Sequence, residues 1–244
     1  MKKIIFISIS LIMTNLLSTS CDDLKQIVME TTTDPKPSLT NEEVISGLKE
    51  ALNVGINNSV NFASVTDGFW KNDLIKLPFP EDALKVRQKA LDWGLTSQVE
   101  KFEMTLNRAA EEASKEALPI FKDAILKMSI QDGFEILNGG NGAATRFLKS
   151  NTSIQLYNAF LPIVKNAIAK VKLTEYWNPI MNKYNGAMTI TGGEKVNPDL
   201  DKYVTDKAIS GLFKLVEIEE NKIRVDPLAR VSDILVKVFG SLSN

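Results

Sequence analysis

The chain has 244 residues, of which 44% are hydrophobic and 24% charged, which is enough to bury one sizeable core. Its 29 basic and 30 acidic residues give a net charge of −1, without the basic excess typical of proteins that bind nucleic acid, so we expect no nucleic-acid partner. The chain contains no histidine, which excludes Ser-His-Asp and Cys-His catalytic systems and the common histidine-containing zinc sites, and we expect no cofactor.

The N-terminus has the features of an export signal. Two lysines, Lys2 and Lys3, precede an apolar segment at residues 4–17. A membrane-spanning helix needs about 20 predominantly apolar residues, and this segment is shorter. The pattern therefore predicts a signal peptide over residues 1–20, whose removal would take the net charge of the chain to −3.

The sole cysteine, Cys21, follows this segment directly. Residues 17–21, LSTSC, resemble a lipobox, although Ser18 stands where that pattern usually has leucine. One cysteine cannot form an intramolecular disulfide, and a lipid on its sulfur would give it a use. We predict a membrane anchor at Cys21, which also removes thiol chemistry; the alternative is an ordinary secretory signal. The periplasmic face of the envelope, the outer membrane and the cell surface are all compatible locations.

The rest of the chain predicts a flexible tether over residues 21–38, because it is polar and carries two prolines, and one all-α domain over residues 39–244. Apolar residues at helical spacing predict nine or ten helices in this domain. In chain order they cover residues 40–62, 80–93, 97–117, 120–128, 129–137, 143–148, 152–171, 174–184, 197–215 and 226–239.

Capping signals set several of these boundaries. Thr40, Ser97, Ser129 and Thr152 are each followed three residues later by an acidic or amide side chain, the pattern of a capping box. Residues 185–195 contain three glycines and predict a loop. In residues 216–225 β-branched side chains favour a strand, and we predict a helix end followed by a short extended link.

Three acids are candidates for catalysis. Glu111, Glu112 and Asp67 could supply general acid and base groups if two of them faced each other in an open cleft. The alternative is a solvated helix face, on which Arg108 pairs with Glu111 or Glu112.

An aromatic connection follows the first helix. Asp67, Phe69, Trp70 and Phe79 could, together with Arg108, line a pocket for an apolar ligand or touch lipid. The alternative is that these residues fill the core under a long connection.

A glycine-rich string, NGGNG, occupies residues 138–142 and precedes Thr145 and Arg146. Backbone N–H groups at such a helix start could bind an anion, with Thr145 and Arg146 as further donors. The alternative is a helix end joined to the next helix. A cation bound by Asp123, Asp132 and Glu135 is not supported by any EF-hand pattern, so no metal site is predicted.

Six phrases along the chain resemble a known family. They are GLKEAL at residues 47–52, TDGFWKN at 66–72, LNRAAE at 106–111, AATRFL at 143–148, GLF at 211–213 and IRVDP at 223–227. Over residues 39–240 the chain resembles a bacterial family that is number 4197 among the domains of unknown function. The resemblance implies an exported helical protein, and it brings no catalytic residue or ligand.

These observations lead to two functional hypotheses. The first is an exported, lipid-anchored envelope protein, a non-enzymatic binding or structural module with a protein or an apolar small molecule as its partner. The second is a carboxylate-dependent hydrolase or lyase that acts on an envelope polymer.

Overall fold

The computed structural model describes residues 40–170, 173–196 and 198–241, and all regular structure within them is helical. The prediction of an all-α domain is therefore confirmed. The predicted signal peptide, Cys21 and the tether lie outside the described residues. The helices of the described part are α1 (Asn41–Ala63), α2 (Leu84–Asp92), α3 (Thr96–Ser114), α4 (Ala117–Leu126), α5 (Ile130–Asn138), α6 (Ala143–Lys170), α7 (Leu173–Thr191), α8 (Leu200–Val225) and α9 (Asp233–Ser241), with 3-10 turns at Glu81–Ala83 and Pro227–Ala229.

Four helices enclose the main core. Helix α8 packs against α6, α1 and α3, and α6 also packs against α3. The remaining helices cover this group, with α9 on α1, α4 on α1 and α6, and α7 on α3. Large side chains that are fully enclosed in the core include Leu48, Ile56, Phe102, Leu106, Leu156, Phe160, Val164 and Leu212.

Two of the predicted capping boxes are confirmed. The Thr40 hydroxyl accepts from the Glu43 amide at 3.1 Å while Glu43 accepts from the Thr40 amide, and Ser129 and Asp132 repeat the arrangement at the start of α5. The prediction of a capping box at Ser97 is wrong. Because Gly94 turns the chain with a φ of 76°, α3 already begins at Thr96, and Ser97 lies inside its first turn.

The two helices predicted over residues 143–148 and 152–171 form one helix, α6, of 28 residues. Thr152 does not cap a helix, because its buried hydroxyl donates to the Leu148 carbonyl at 2.7 Å, one turn earlier. A threonine hydroxyl can form this bond inside a continuous helix. The prediction of a break at Thr152 is therefore wrong.

Two predicted connections are also helical. Helix α7 continues through most of residues 185–195 and ends at Thr191, and α8 continues through residues 216–225. Helix α8 begins at Leu200, with Asp199 as its N-cap, rather than near residue 197. Burial of Ile223 against the core outweighs the strand preference of its β-branched side chain. Among the described residues, no helix combines the length and the apolar character that crossing a bilayer requires.

The contact between α1 and α9 generates the first testable prediction. A Cβ atom added at Gly47 would lie 2.6 Å from Val238 Cγ2 and 3.3 Å from the Ile234 carbonyl oxygen. A Cβ atom at Gly55, on the same helix, would meet Glu219 Cβ at an ordinary 3.6 Å. We expect Gly47→Ala to lower the free energy of unfolding by about 1–3 kcal/mol through overpacking. Gly55→Ala should raise it by about 0.5–1 kcal/mol, because alanine favours the helix.

Urea unfolding of the two variants and of the unchanged protein measures both effects. The comparison is matched, since both glycines are buried on α1 and both changes add one methyl group. Equal stabilisation by the two substitutions would contradict the close packing of α9 on Gly47.

Candidate functional site

The connection between α1 and the first 3-10 turn, residues 64–80, is folded as a series of tight turns. The Gly68 amide donates to the Val65 carbonyl at 3.0 Å, and the Lys71 amide donates to the Asp67 carbonyl at 3.1 Å. Asp67 has a φ of 70°, which aspartate tolerates better than most residues. A Cβ atom at Gly68 would lie 2.3 Å from the Phe62 carbonyl oxygen, so only glycine fits there.

An ion-pair network joins this connection to α3. Arg108 Nη2 donates to Asp67 Oδ1 at 2.5 Å, and Arg108 Nη1 donates to Glu111 Oε2 at 2.7 Å. Lys71 contacts the other oxygen of Asp67 at 2.8 Å. Hydrogen bonds from Lys71 and then from Arg108 lower the pKa of Asp67 below its ordinary value. The structure thus brings together three of the residues singled out from the sequence, Asp67, Arg108 and Glu111.

The Glu111 carboxylate is buried and holds the backbone of the connection. Its Oε1 accepts from the amides of Phe69 at 3.1 Å and Trp70 at 3.2 Å, while Oε2 accepts from Arg108. The side chain is only 5% exposed. Glu111 therefore satisfies three donors, and a buried carboxylate requires such partners.

Two further side chains hold the far end of the connection. Asn107, one turn before Glu111 on α3, accepts from the Leu77 amide at 2.8 Å and donates to the Leu77 carbonyl at 3.0 Å. Tyr203 of α8 donates to the Pro78 carbonyl at 2.7 Å, and burial raises the pKa of Tyr203 to about 12, so the hydroxyl stays protonated. Sequence reasoning missed the role of both residues, because their partners, Leu77 and Pro78, are distant in the chain.

The aromatic candidates lie mostly in the core. Phe69 is 0% exposed and Phe79 is 2% exposed. Phe79 contacts the rings of Phe102 and Trp177, with centroid distances of 4.9 and 5.8 Å. Trp70 is half-buried, and the Lys76 ammonium lies 3.8 Å from its ring centroid. These contacts match the alternative in which the aromatic residues fill the core under the connection.

A polar groove of about 510 Å³ lies beside the ion-pair network. Glu112 lines it and forms an exposed ion pair with Lys115 at 2.5 Å. The groove is lined by Ser64, Thr66, Arg108, Glu111, Glu112, Lys115, Ile163, Asn166 and Ala167. Its walls therefore carry both signs of charge together with hydroxyl and amide groups.

The glycine-rich turn before α6 lies against a carboxylate of the same chain. Glu220 of α8 accepts from the Ala144 amide at 3.0 Å, from the Thr145 amide at 2.9 Å and from the Thr145 hydroxyl at 2.8 Å. The Glu220 carboxylate also pairs with Arg224 at 3.0 Å. The donors proposed for an external anion, including Thr145, are thus bound to a buried carboxylate.

Arg146 points to the same turn from the solvent side. Its guanidinium donates to the carbonyls of Asn141 and Gly139, each at 3.1 Å. It lines a groove of about 300 Å³ with Lys149, Lys214 and other residues. Arg146 therefore closes the glycine-rich turn through its carbonyl groups.

The acids considered for a cation are engaged elsewhere. Hydrogen bonds from the Ser129 side chain and backbone lower the pKa of Asp132, which acts as the capping acid of α5. Asp123 pairs with Lys127 at 2.6 Å. Within the described residues, no group of three or more acidic or cysteine side chains is arranged to hold a metal ion.

Comparison with known proteins gives one match. Residues 38–240 match the family described as "Protein of unknown function (DUF4197)". No curated protein and no solved structure matches the chain.

The burial of Glu111 predicts a role in holding the connection. We expect Glu111→Gln to lower the free energy of unfolding by about 2–3 kcal/mol, because hydrogen bonds to a charged acceptor are lost in a buried site. Glu112→Gln, the adjacent exposed acid, should change it by less than about 0.5 kcal/mol. Urea unfolding measures the stability, and hydrogen exchange at the Phe69 and Trp70 amides should speed up only in Glu111→Gln. Equal effects of the two variants would contradict this role.

The lowered pKa of Asp67 predicts a pH-dependent contribution to stability. The ionised carboxylate stabilises the fold above its ordinary pKa of 3.8, and that contribution is lost as the pH falls from about 3.8 through the lowered pKa. Asp67→Asn keeps a residue that tolerates positive φ. We expect the stability difference between the unchanged protein and Asp67→Asn to be constant near neutral pH and to shrink below pH 3.8.

Carboxyl-carbon NMR of Asp67 checks directly whether Lys71 lowers the pKa of Asp67. In Lys71→Met the titration of Asp67 should move to higher pH, because the hydrogen bond that lowers the pKa of Asp67 most is removed. An unchanged titration would contradict the assignment of the shift to Lys71.

Proposed function

We propose that this chain, which belongs to the family of proteins of unknown function DUF4197, is an exported, lipid-anchored envelope protein whose helical domain is a non-enzymatic binding or structural module. Its partner in this proposal is a protein of the envelope. The observation that carries the proposal is the burial of Glu111, one of the three catalytic candidates, in contacts that hold the fold.

The proposed export and lipid anchoring rest on the N-terminal sequence. A basic pair and an apolar segment of export-signal length precede the lipobox-like LSTSC, which ends with the only cysteine. A lipoprotein with more than one acyl chain on Cys21 would stay stably bound to a membrane without any help from the protein.

The non-enzymatic role is supported by the contacts of the candidate acids. For Glu111 to act as a general base, its carboxylate would have to leave the Phe69 and Trp70 amides, and the buried Phe69 amide would then lack a partner. Asp67 has an ion pair on each oxygen, and its lowered pKa disfavours the protonated form that a general acid needs. The alternative of a carboxylate-dependent hydrolase or lyase gains no support from this geometry.

A protein partner is favoured over a carried apolar molecule. Phe69 and Phe79, the side chains proposed to line an apolar pocket, are packed against other core side chains. Ligand pockets for drug-sized molecules usually enclose about 300–1,000 Å³ with mainly apolar walls. The groove at Arg108 has this volume, but four charged side chains line it: Arg108, Glu111, Glu112 and Lys115.

Mass spectrometry of the protein purified gently from its own host tests the proposal. Under denaturing conditions we expect a chain that begins at Cys21 and carries a diacylglyceryl group with a further acyl chain. Under native conditions we expect the same lipidated chain without a retained apolar small molecule.

Two variants serve as comparisons. Cys21→Ser should accumulate as the uncleaved, lipid-free precursor, whereas Ser20→Ala keeps a small residue before the cysteine and should be processed normally. A lipid-free protein cleaved at another position would overturn the anchor. A retained apolar ligand would overturn the choice of a protein partner.

A further inference from the structure

The last residue of α8 and the link to α9 expose three aliphatic side chains within seven residues. Val225 is 72% exposed, Leu228 is 90% exposed and Val231 is 70% exposed. We call these three residues the α8–α9 patch. Single exposed aliphatic residues are common on proteins, but a cluster of them marks an interaction surface more often.

Hydrogen bonds hold the α8–α9 patch in its outward position. The Asp226 carboxylate accepts from the Leu228 amide at 2.9 Å. Arg230, which is buried, donates to the carbonyls of Ile223 at 3.2 Å and Arg224 at 2.9 Å. The buried Arg230 thus joins the link to the end of α8, while the three aliphatic side chains remain exposed.

The patch lies at the end of the domain where the chain enters it. Ile223 and Arg224, near the end of α8, line one small cavity together with Leu48 and Ala51 of α1. Leu48 follows Thr40 by eight helical residues, or about 12 Å. Whatever precedes Thr40 in the chain is therefore joined to the domain at the same end as the patch.

The length of the preceding chain limits the distance to an anchor at Cys21. Thr40 follows Cys21 by 19 residues, which reach at most about 65 Å when fully extended. As a flexible chain they would span about 25 Å on average. The average length is shorter than helix α8, so a lipid on Cys21 would hold this end of the domain nearer to the membrane than the opposite end.

We infer that the α8–α9 patch docks onto the lipid leaflet that holds the Cys21 lipid, with Leu228 inserted most deeply among the acyl chains; this inference rests on the proposed lipid anchor. Transfer of aliphatic side chains from water into an apolar environment is favourable. The anchor keeps the patch at a high effective concentration near the leaflet, so that three side chains suffice for an association that would be weak in free solution. The domain then lies with this end against the membrane and its other end directed away.

The opposite end of the domain offers a matched control. Ile190 is 88% exposed near the end of α7. Tyr184 and Met188 of α7 line a groove with Pro198, just before α8 begins. Helix α8 has 26 residues and is therefore about 39 Å long, which separates Ile190 from the patch at the far end of that helix.

The sole native cysteine makes a site-specific experiment possible. Leu228→Cys and Ile190→Cys are each introduced into the full chain and produced in the native host, where lipidation blocks Cys21. The new thiol is labelled with an environment-sensitive fluorophore, and the lipidated protein is reconstituted into phosphatidylethanolamine–phosphatidylglycerol vesicles. We expect the label at position 228 to shift its emission to shorter wavelength and to lose intensity when the lipids carry brominated acyl chains. The label at position 190 should show neither effect.

Four results would overturn the inference. Unchanged emission at position 228 in a protein whose mass confirms the lipid would refute docking while leaving the anchor intact. Equal shifts at positions 228 and 190 would indicate general adsorption of the domain. A shift at position 228 that appears without vesicles as the protein concentration rises would identify a protein contact at the patch. Labelling of Cys21 itself would show that the anchor is absent, and both proposals would then fail together.

Discussion

The burial of Glu220 beside the first turn of α6 is the constraint on which the arrangement of the central helices depends. The first amides of a helix have no partner within that helix, and a buried carboxylate is unfavourable without donors. Glu220 solves both problems, because it accepts from the Ala144 and Thr145 amides. One turn later on α8, Arg224 donates to the carbonyls of Ile136 and Leu137 at the end of α5. One segment of α8 thus binds the end of one helix and the start of the next with charges that suit the two helix dipoles.

The same solution recurs on the other side of the core. Glu111 and Asn107 of α3 bind backbone groups of the connection between α1 and α2, as Glu220 and Arg224 bind those around the glycine-rich turn. In both places a polar side chain on a core helix replaces the regular hydrogen bonds that an irregular segment lacks. Glu111, Asn107, Glu220 and Arg224 therefore stabilise the fold of the domain.

This use of polar residues bears on function. The buried acids of this domain bind backbone groups, so interactions with other molecules would use its surface. That surface is not uniform. The end where the chain enters carries the α8–α9 patch, whereas the polar groove beside Arg108 lies along α3 and α6. An anchored protein that docks through the first surface would leave the groove accessible to other envelope molecules.

The sequence by itself determined the helical class, the start of α1 and the capping box of α5, because each depends on residues a few positions apart. It also suggested that Arg108 could pair with Glu111, a neighbour on the same helix, whereas the ion pair between Arg108 and Asp67 emerged only in the structure. The tertiary structure alone decided that α6 runs unbroken past Thr152 and that α8 continues to Val225. It also decided that Glu220, in a segment with strand preference, binds the helix start that we considered as an anion site. These outcomes depend on burial against helices distant in the chain, and the free energy of that burial exceeds the small local preferences that a sequence pattern records.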